Sequence, residues 1–280
     1  MTNKESVKSH IIQAVETVKK TNPMVGSITN TVTINLVANA QLAVGGSAAM
    51  VYLPDEGEFL ARAGKATYIN VGTLLPIYEQ TLPYTAKVLY EMKKPWVLDP
   101  VAVGIGSLRT RLLQQFKEYK PTIIRGNASE ILALAGLWGL DGGTSESNVR
   151  GVDSTDTVTS AKAAAAALAR WTGGAVAVSG KTDLITDGSV VVFSYGGSHF
   201  MEMITGAGCS LGGVIAVYAT AASPFIAALT GVAVYNLAGK RAEKKADGPG
   251  SFQMHFLDEL YKASAEEIAD NEFALEEIDQ

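Results

Sequence analysis

Hydrophobic and polar positions follow two different periods along the chain, and these periods divide it into predicted helices and strands. Residues 4–20 carry apolar side chains three or four positions apart, which predicts an amphipathic helix. These side chains are Val7, Ile11, Val15 and Val18. Short apolar runs predict buried strands at 49–52, 66–72, 95–100, 121–126 and 175–180. Helices are predicted at 31–43, 77–92, 107–118, 127–137 and 154–174, and a loop at 22–30.

The alternation of strands with helices predicts βαβ units around a mainly parallel sheet, and therefore an α/β fold. The segment "LITDGSVVVFSY" predicts an antiparallel hairpin about Asp187 and Gly188, because two β-rich runs flank this turn pair. We find no internal repeat or linker, so residues 1–280 are predicted to form a single domain. The tail, 265–280, has seven acidic and no basic residues and is predicted to be a solvated helix with a frayed end.

Composition and charge narrow the classes of function. The net charge is −5 and no cluster of Lys or Arg stands out, which argues against nucleic acid or an anionic membrane as a partner. The N-terminal 20 residues lack the apolar segment of a signal peptide. The single cysteine excludes an internal disulfide and fits a reducing cytosol, so a cytoplasmic location is expected. His10, His199 and His255 lack zinc-ligand spacing, so no His/Cys metal site is expected.

One uncharged segment, between Glu202 and Lys240, is long enough to span a bilayer. It is rich in Gly, Ala, Ser and Thr, and it contains Asn236. Ser223 followed by Pro224 is typical of a helix N-cap and first helical residue, so a new helix is predicted to begin there. The segment therefore predicts two buried helices in series rather than a membrane span.

Polar side chains follow three of the predicted strands directly. Asp99 ends the run "VLD", Ser179 ends "AVAVS", and "IRGNASE" contains Arg125, Asn127 and Glu130. Each of these alone is explained by turn formation or helix capping. Because parallel strands place ligands at their carboxyl ends, three such sequences on one sheet edge predict a binding site.

The lone cysteine lies in a Gly-rich turn, "TGAGC" at 205–209. Either the thiol fills a small space where two helices pack closely, or it faces a substrate. Glycines allow backbone N–H groups to converge on an anion, and the following helix adds its positive end. The turn is not a Walker A loop, because G-K-[ST] is absent. The residues alone thus predict a phosphate-handling α/β protein.

Taken in order, the motifs resemble those of the hydroxyethylthiazole kinase family of thiamin-salvage enzymes. They are "SITN" (27–30), "GGSAAM" (45–50), "INVGTL" (69–74), "LDPVAVG" (98–104), "IRGNASEI" (124–131), "GVDSTD" (151–156), "TGAGC" (205–209) and "GPGSF" (248–252). The resemblance extends from about residue 10 to 262. The combination of "RGNASEI", "GAGC" and "GPGSF" in this order is more specific than any single motif.

This resemblance implies a ribokinase-like three-layer α/β sandwich without a lid, and a homotrimer with active sites at subunit boundaries. The implied reaction is the ATP-dependent phosphorylation of 4-methyl-5-(2-hydroxyethyl)thiazole, with Mg²⁺. Two alternatives remain: another ribokinase-like kinase, acting for example on a hydroxymethylpyrimidine or pyridoxal, and a ligand-binding protein that has lost catalysis. The retained Asp99, Arg125, Glu130 and Cys209 count against the second.

The resemblance also implies roles for single residues. Cys209 takes the position of the aspartate base of related sugar kinases, and we expect the helix start to lower its pKa. Serine replaces the usual threonine at Ser179 and keeps the hydroxyl. Met50, Gly206 and Asn30 are implied to bind substrate; Arg125, Ser179, Asp99 and Gly208 to bind ATP; and Asp99 and Glu130 to hold magnesium.

Three departures from the family pattern bear on substrate preference. Gly26 replaces a common histidine, and "GGSAAM" replaces "GASPxM". Both changes are expected to affect the shape of the pocket. Met203 replaces a frequent lysine, which is expected to change the charge near phosphate.

Overall fold

The structure is a computed structural model that describes residues 3–144 and 157–278. The motif "GVDSTD" and the predicted helix start at 154 lie outside the described residues. The described helices are α1 (Lys4–Thr21), α2 (Ile34–Ala43), α3 (Pro54–Ala63), α4 (Tyr78–Glu91), α5 (Ser107–Tyr119), α6 (Ala128–Leu137), α7 (Lys162–Thr172), α8 (Ala207–Tyr218), α9 (Pro224–Glu243), α10 (Pro249–Lys262) and α11 (Ala265–Ala269), with a 3₁₀ helix at His199–Met203.

One sheet of nine strands runs through the described part of the chain, in the order β2-β1-β3-β4-β5-β6-β7-β8-β9. Strands β1 to β6 pair in parallel. β7 pairs antiparallel with β6, and β8 and β9 continue the sheet with antiparallel pairing. The mainly parallel sheet is therefore confirmed. The strands are β1 (Met24–Ile28), β2 (Ser47–Met50), β3 (Ala66–Asn70), β4 (Trp96–Asp99), β5 (Ile123–Asn127), β6 (Ala175–Ser179), β7 (Asp183–Thr186), β8 (Val190–Ser194) and β9 (Phe273–Glu277).

Two separate hydrophobic cores lie on the two faces of this sheet. One is formed with α1, α2, α8, α9, α10 and α11, and the other with α3 to α7. Along β6 the side chains alternate between them: Ala175 and Ala177 face the first core, and Val176 and Val178 face the second. Because both faces are covered, most positions of the parallel strands are apolar, which is why the sequence shows several of them as short apolar runs. The three-layer sandwich is confirmed.

The hairpin and the two helices in series are also confirmed. β7 and β8 pair across the turn, where Gly188 has φ +93° and the Asp187 carboxylate accepts the N–H of Ser189 at 2.8 Å. Helix α9 begins with Ser223 as N-cap and Pro224 in its first turn. Across the described ranges, we find no helix with the length and apolarity needed to cross a membrane.

Several predicted boundaries were wrong. Residues 24–28 form strand β1, not a loop, and the strand predicted at 49–52 is Ser47–Met50. The helix predicted from 31 begins at Ile34. The helix predicted from 154 begins at Lys162, because residues 158–161 form turns.

The tail prediction was right about a helix but wrong about the residues that follow it. Residues Ala265–Ala269 form α11, whose Ile268 is buried, and Phe273–Glu277 form the ninth strand. β9 pairs antiparallel with β8, from Val190 opposite Glu277 to Ser194 opposite Phe273. The acidic residues Glu276 and Glu277 are therefore part of the sheet.

Candidate active site

The carboxyl ends of the parallel strands bring most of the predicted site residues to one edge of the sheet. Asp99 ends β4, Ser179 ends β6, and Arg125 lies two residues before the end of β5. Asn30 follows β1, and Cys209 lies in the first turn of α8. The site thus forms where a helix N-terminus meets the ends of parallel strands, as the order of the motifs predicts.

Asp99 is fully buried, and one of its oxygens is held by several donors. Oδ2 accepts hydrogen bonds from the Tyr68 hydroxyl at 2.8 Å and from Asn70 Nδ2 at 3.0 Å. Arg125 Nη1 lies 3.5 Å from the same oxygen. The other oxygen, Oδ1, is buried and has no hydrogen-bond partner among the described residues. A buried carboxylate oxygen without a donor is costly, so Oδ1 is the oxygen of Asp99 that is free to contact a ligand group.

Arg125 lies between Asp99 and Ser179. Its Nη2 donates to Ser179 Oγ at 2.9 Å, while Nε has no partner within the described ranges. Burial opposes the positive charge, but the carboxylates of Asp99 and Glu130 outweigh this effect and raise the pKa of Arg125. The guanidinium therefore carries a permanent charge at the sheet edge.

Gly208 lets the backbone of α8 approach this guanidinium closely. A Cβ added at Gly208 would lie 2.6 Å from Arg125 Nη1 and 2.7 Å from Nη2. Only glycine fits this distance without moving the arginine. The positive end of α8 and the charge of Arg125 consequently meet at one place, which is an arrangement suited to phosphate.

Glu130 caps helix α6, which is the structural role that its sequence position predicts. Its Oε2 accepts the N–H of Asn127 at 2.9 Å, and Asn127 Oδ1 accepts the N–H of Glu130 at 2.9 Å, so the pair forms a capping box for α6. Glu130 Oε1 also accepts the N–H of Ala102 at 3.2 Å and so holds the loop after β4. Burial raises the pKa of Glu130 to about 7, and the Asp99 carboxylate adds to the shift.

Cys209 is joined to the strand ends through Asn30. Asn30 Nδ2 lies 3.4 Å from the thiol sulfur and 3.0 Å from Asn70 Oδ1. Burial, and next the Asp99 carboxylate, raise the pKa of the thiol, although Arg125 acts in the opposite direction. The expectation of a lowered pKa was therefore wrong, because burial and the Asp99 carboxylate both disfavour the charged thiolate.

Gly206 and Met50, the two other residues implied to bind substrate, lie at the start of α8 and at the end of β2. Gly206 is the N-cap of α8 with φ +99°, and a Cβ there would come within 2.9 Å of the Cβ of Thr33. Met50 ends β2, where it pairs with Ser27 and is half-buried. A concavity of about 560 Å³ lined by His10, Asp187 and Ser223 among others contains no predicted site residue.

Comparisons with known proteins agree with the motifs. The sequence profile of the family described as "Hydroxyethylthiazole kinase family" matches residues 15–266. The chain belongs to the hydroxyethylthiazole kinase family. A hydroxyethylthiazole kinase of Bifidobacterium longum (strain DJO10A) is 50% identical, and the alignment covers 96% of this chain and 92% of that protein. One of Cereibacter sphaeroides (strain ATCC 17025 / ATH 2.4.3) is 43% identical over 91% of this chain and 94% of its own length.

Solved structures show the fold. A hydroxyethylthiazole kinase protein from Pyrococcus horikoshii OT3 superposes with a TM-score of 0.85 at 29% identity, covering 97% of this chain and all of that one. A ribokinase-like superfamily protein from Enterococcus faecalis V583 gives a TM-score of 0.59 at 14% identity, covering 93% and 95% of the two chains. The ribokinase-like α/β fold predicted from the hydroxyethylthiazole kinase motifs is thereby confirmed.

The structure also locates the departures from the hydroxyethylthiazole kinase pattern. A Cβ at Gly26 would lie 2.9 Å from the Cβ of Leu60 on α3, so this glycine faces a packed helix. Its expected effect on the shape of the pocket stays a prediction; in the structure the space beside Gly26 is filled by Leu60. Met203 ends the 3₁₀ helix before the Gly-rich turn and is 58% exposed.

Two site residues escaped the sequence prediction, Tyr68 and Asn70 on β3. Both are fully buried, and Asn70 Nδ2 also donates to the Tyr68 hydroxyl at 2.9 Å. They occupy alternate positions of the strand and so share one face. Two polar groups at this spacing in an otherwise apolar strand were the signal that could have identified them.

Proposed function

We propose that this chain transfers the γ-phosphoryl group of ATP to the hydroxyl of 4-methyl-5-(2-hydroxyethyl)thiazole. The observation that carries the proposal is the buried Arg125 guanidinium, held between Asp99 and Ser179 and covered by the first turn of α8. Family membership supplies the acceptor, because the relatives are named for this alcohol.

The nucleotide phosphates are proposed to bind at Arg125, Ser179 and the start of α8. Arg125 already donates to Ser179, so its fork is fixed in orientation before ATP arrives. Such fixed donors stabilise the charge that spreads over the transferred phosphoryl group. The N–H groups near Gly208 would add neutral donors at the same place.

Asp99 and Glu130 fit a magnesium ion that is bound mainly through phosphates and water. Asp99 Oδ1 is buried without a hydrogen-bond partner among the described residues, and burial, followed by the nearby Asp99 carboxylate, raises the pKa of Glu130. Mg²⁺ commonly uses only one or two carboxylates in nucleotide sites. When bound, it would neutralise charge on the phosphates. The task of this chain's own residues is to hold the two carboxylates in place, through Tyr68 and Asn70 for Asp99.

The acceptor alcohol is proposed to lie between Met50, Asn30, Gly206 and Cys209. Its oxygen attacks the γ-phosphorus, the bond from that phosphorus to the β–γ bridging oxygen breaks, ADP leaves, and the hydroxyl proton is released. A thiol with a raised pKa is mostly protonated at neutral pH, so Cys209 acts first by orienting the hydroxyl. A loose transition state depends on positioning and charge more than on a strong base.

A homotrimer in the cytoplasm, with active sites at subunit boundaries, is part of the same proposal. Val32 and Leu53 follow β1 and β2 at the site edge and are 65% and 47% exposed. Apolar side chains exposed next to a site are typical of a subunit contact. Light scattering should give three times the chain mass of 29.4 kDa, and an active monomer would contradict this arrangement.

Replacing Arg125 tests the proposed reaction. Arg125→Ala should raise the KM for ATP strongly while the affinity for the thiazole alcohol stays nearly unchanged. Arg125→Lys should recover only part of the loss, because an ammonium lacks the fork geometry. Turnover with ATP should be compared on thiazole, pyrimidine and pyridine alcohols. Wild-type ATP kinetics in Arg125→Ala, or preference for another alcohol, would overturn the assignment.

A further inference from the structure

A buried polar cluster lies directly behind the turn that follows β6. It comprises Asp183 at the start of β7, Asn236 in the middle of α9, and Ser194 at the end of β8. All three side chains are buried, and Asp183 is 9% exposed. Neither the family motifs nor the proposed reaction uses any of them. Three buried polar side chains in a nearly apolar helix contact require a structural or functional explanation.

Asp183 uses both of its oxygens to hold backbone and amide groups. Oδ1 accepts the N–H of Gly180 at 3.0 Å, and Oδ2 accepts from Asn236 Nδ2 at 2.9 Å. No Lys or Arg side chain of the described ranges forms an ion pair with Asp183. Arg125 forms its ion pair with Asp99. Burial raises the pKa of Asp183 to about 6. Burying a carboxylate without a neighbouring cation lowers stability. The structure nevertheless keeps Asp183 buried, with its hydrogen bond to Gly180.

Gly180 is the residue after Ser179, so Asp183 fixes the turn that carries the Arg125 contact. Ser179 Oγ accepts from Arg125 Nη2 at 2.9 Å, and the N–H of the next residue points into Asp183. Val158 closes the other side, since a Cβ at Gly180 would lie 2.3 Å from its Cγ2. The turn is therefore held from behind by one carboxylate.

Asn236 joins this turn to the segment that leads into the Gly-rich helix start. Its Nδ2 also donates to Ser194 Oγ at 3.1 Å, and its backbone carbonyl accepts the N–H of Gly197 at 3.0 Å. Gly196 has φ +130°, and a Cβ there would lie 2.9 Å from the Cβ of Asn236. One asparagine thus contacts both chain segments that flank the proposed phosphate site.

We propose that Asp183 and Asn236 are positioning residues for the nucleotide: they set the turn at Ser179 and Gly180 against Arg125 and couple it to the 195–198 segment. This inference rests on the proposed function, because Ser179 and Arg125 are the proposed ATP contacts. Neither residue touches the reacting atoms. The pair should therefore control the affinity for ATP and leave the binding of the thiazole alcohol unaffected.

Isothermal titration of ATP and of the thiazole alcohol separates these effects. Asn236→Leu removes the amide and keeps a similar size. Asp183→Asn places an Nδ2 donor opposite Asn236 Nδ2 in the orientation that Asn236 has in the structure, where it also donates to Ser194 Oγ. Each should raise the Kd for ATP about tenfold or more, the usual result of leaving a buried group unpaired, with the Kd for the alcohol unchanged. The double variant Asp183→Asn/Asn236→Asp restores a donor–acceptor pair and should recover most of the ATP affinity.

Asn271→Ala is the matched control. Asn271 Nδ2 also reaches Ser194 Oγ, at 3.4 Å, and donates to the Tyr195 carbonyl at 3.1 Å, but it makes no hydrogen bond to Asp183 or Gly180. It should bind ATP as wild type does. Wild-type ATP affinity in folded Asn236→Leu, or a parallel loss of both ligands that the double variant does not rescue, would overturn the inference. Arg125→Ala, titrated beside it, reports separately on the proposed function.

Discussion

Substitution of Gly208 by alanine should weaken ATP binding through a single added methyl group. In the structure this Cβ would lie 2.6 Å from Arg125 Nη1, 2.7 Å from Nη2 and 3.0 Å from Cζ. Non-bonded atoms are in relaxed contact at about 3.5 Å, so the guanidinium must move away from the added methyl group by about 1 Å. That movement stretches the 2.9 Å hydrogen bond to Ser179 and the 3.5 Å contact to Asp99.

The expected size follows from this displacement. A misplacement of about 1 Å at a reacting group costs roughly 10²-fold in rate, so kcat/KM for ATP should fall by that order. Forcing a methyl group into packed surroundings should also lower the free energy of unfolding by about 1–3 kcal/mol. The Kd for the thiazole alcohol should hardly change, because Gly208 faces the arginine.

Gly250→Ala is the matched control for this experiment. Gly208 and Gly250 are each the second residue of a helix, α8 and α10, but a Cβ at Gly250 meets no atom of the described residues within 4 Å. Both substitutions gain the same helix propensity, so their difference isolates the clash. Steady-state kinetics and urea unfolding provide the two readouts.

A double-mutant cycle with Arg125→Lys tests the cause directly. The lysine side chain lacks the guanidinium that the methyl group would strike. Gly208→Ala should therefore cost much less in the Arg125→Lys background than alone, a coupling of about 0.5–3 kcal/mol. Wild-type ATP kinetics in Gly208→Ala, or strictly additive losses in the cycle, would refute the reasoning.

Three further predictions concern the thiol, the buried carboxylate and the tail. Cys209→Ala should lower kcat by about 10²-fold or less with the Kd for ATP unchanged, since the backbone donors of α8 remain; an unchanged kcat would leave the thiol a packing role only. Between pH ~4 and the pKa of Asp183 near 6, the folded state binds more protons than the unfolded state. The unfolding free energy of wild type minus that of Asp183→Asn should therefore fall by ~3 kcal/mol as pH rises through this window. A difference that does not change with pH would contradict the raised pKa. Phe273→Ala should cost about 3–5 kcal/mol of unfolding free energy, because the ring is buried, and the half-buried Leu275→Ala should cost clearly less; equal, small losses would contradict the packing of β9.

The sequence predicted those elements whose apolar pattern is decided locally. β3 to β6 are buried on both faces and show continuous apolar runs, so they were found. β1 was missed because Pro23, Gly26 and Ser27 weaken its local signal. It exists because β2 and β3 pair with it on both sides and Leu60 fills the space above Gly26. Such partners lie far along the chain and leave no trace in a short window.

β9 was also missed because its partner strand lies far along the chain, and here the local propensity favours a helix. Its sequence, "FALEE", contains Ala, Leu and Glu, which favour helix. The unpaired edge of β8 overrides that preference, and Phe273 is buried as a result. In the site, Asp99, Arg125 and Ser179 were found because each is a polar residue at or near the end of an apolar run. Tyr68 and Asn70 were missed because their role depends on hydrogen bonds to Asp99, a residue far along the chain.

The position of β9 has a consequence for synthesis of the protein. Ribosomes deliver the chain from its N-terminus, so β8 emerges about 80 residues before the strand that covers it, by the numbering of Ser194 and Phe273. Until then its edge, "VVVFS", offers five uncharged residues, four of them β-favouring, with open backbone groups. Nascent or truncated chains that end before Phe273 should therefore be much more prone to aggregate than the full chain. The acidic residues Glu276 and Glu277, at the end of the sheet's last strand, give the finished protein a charged border in place of that edge.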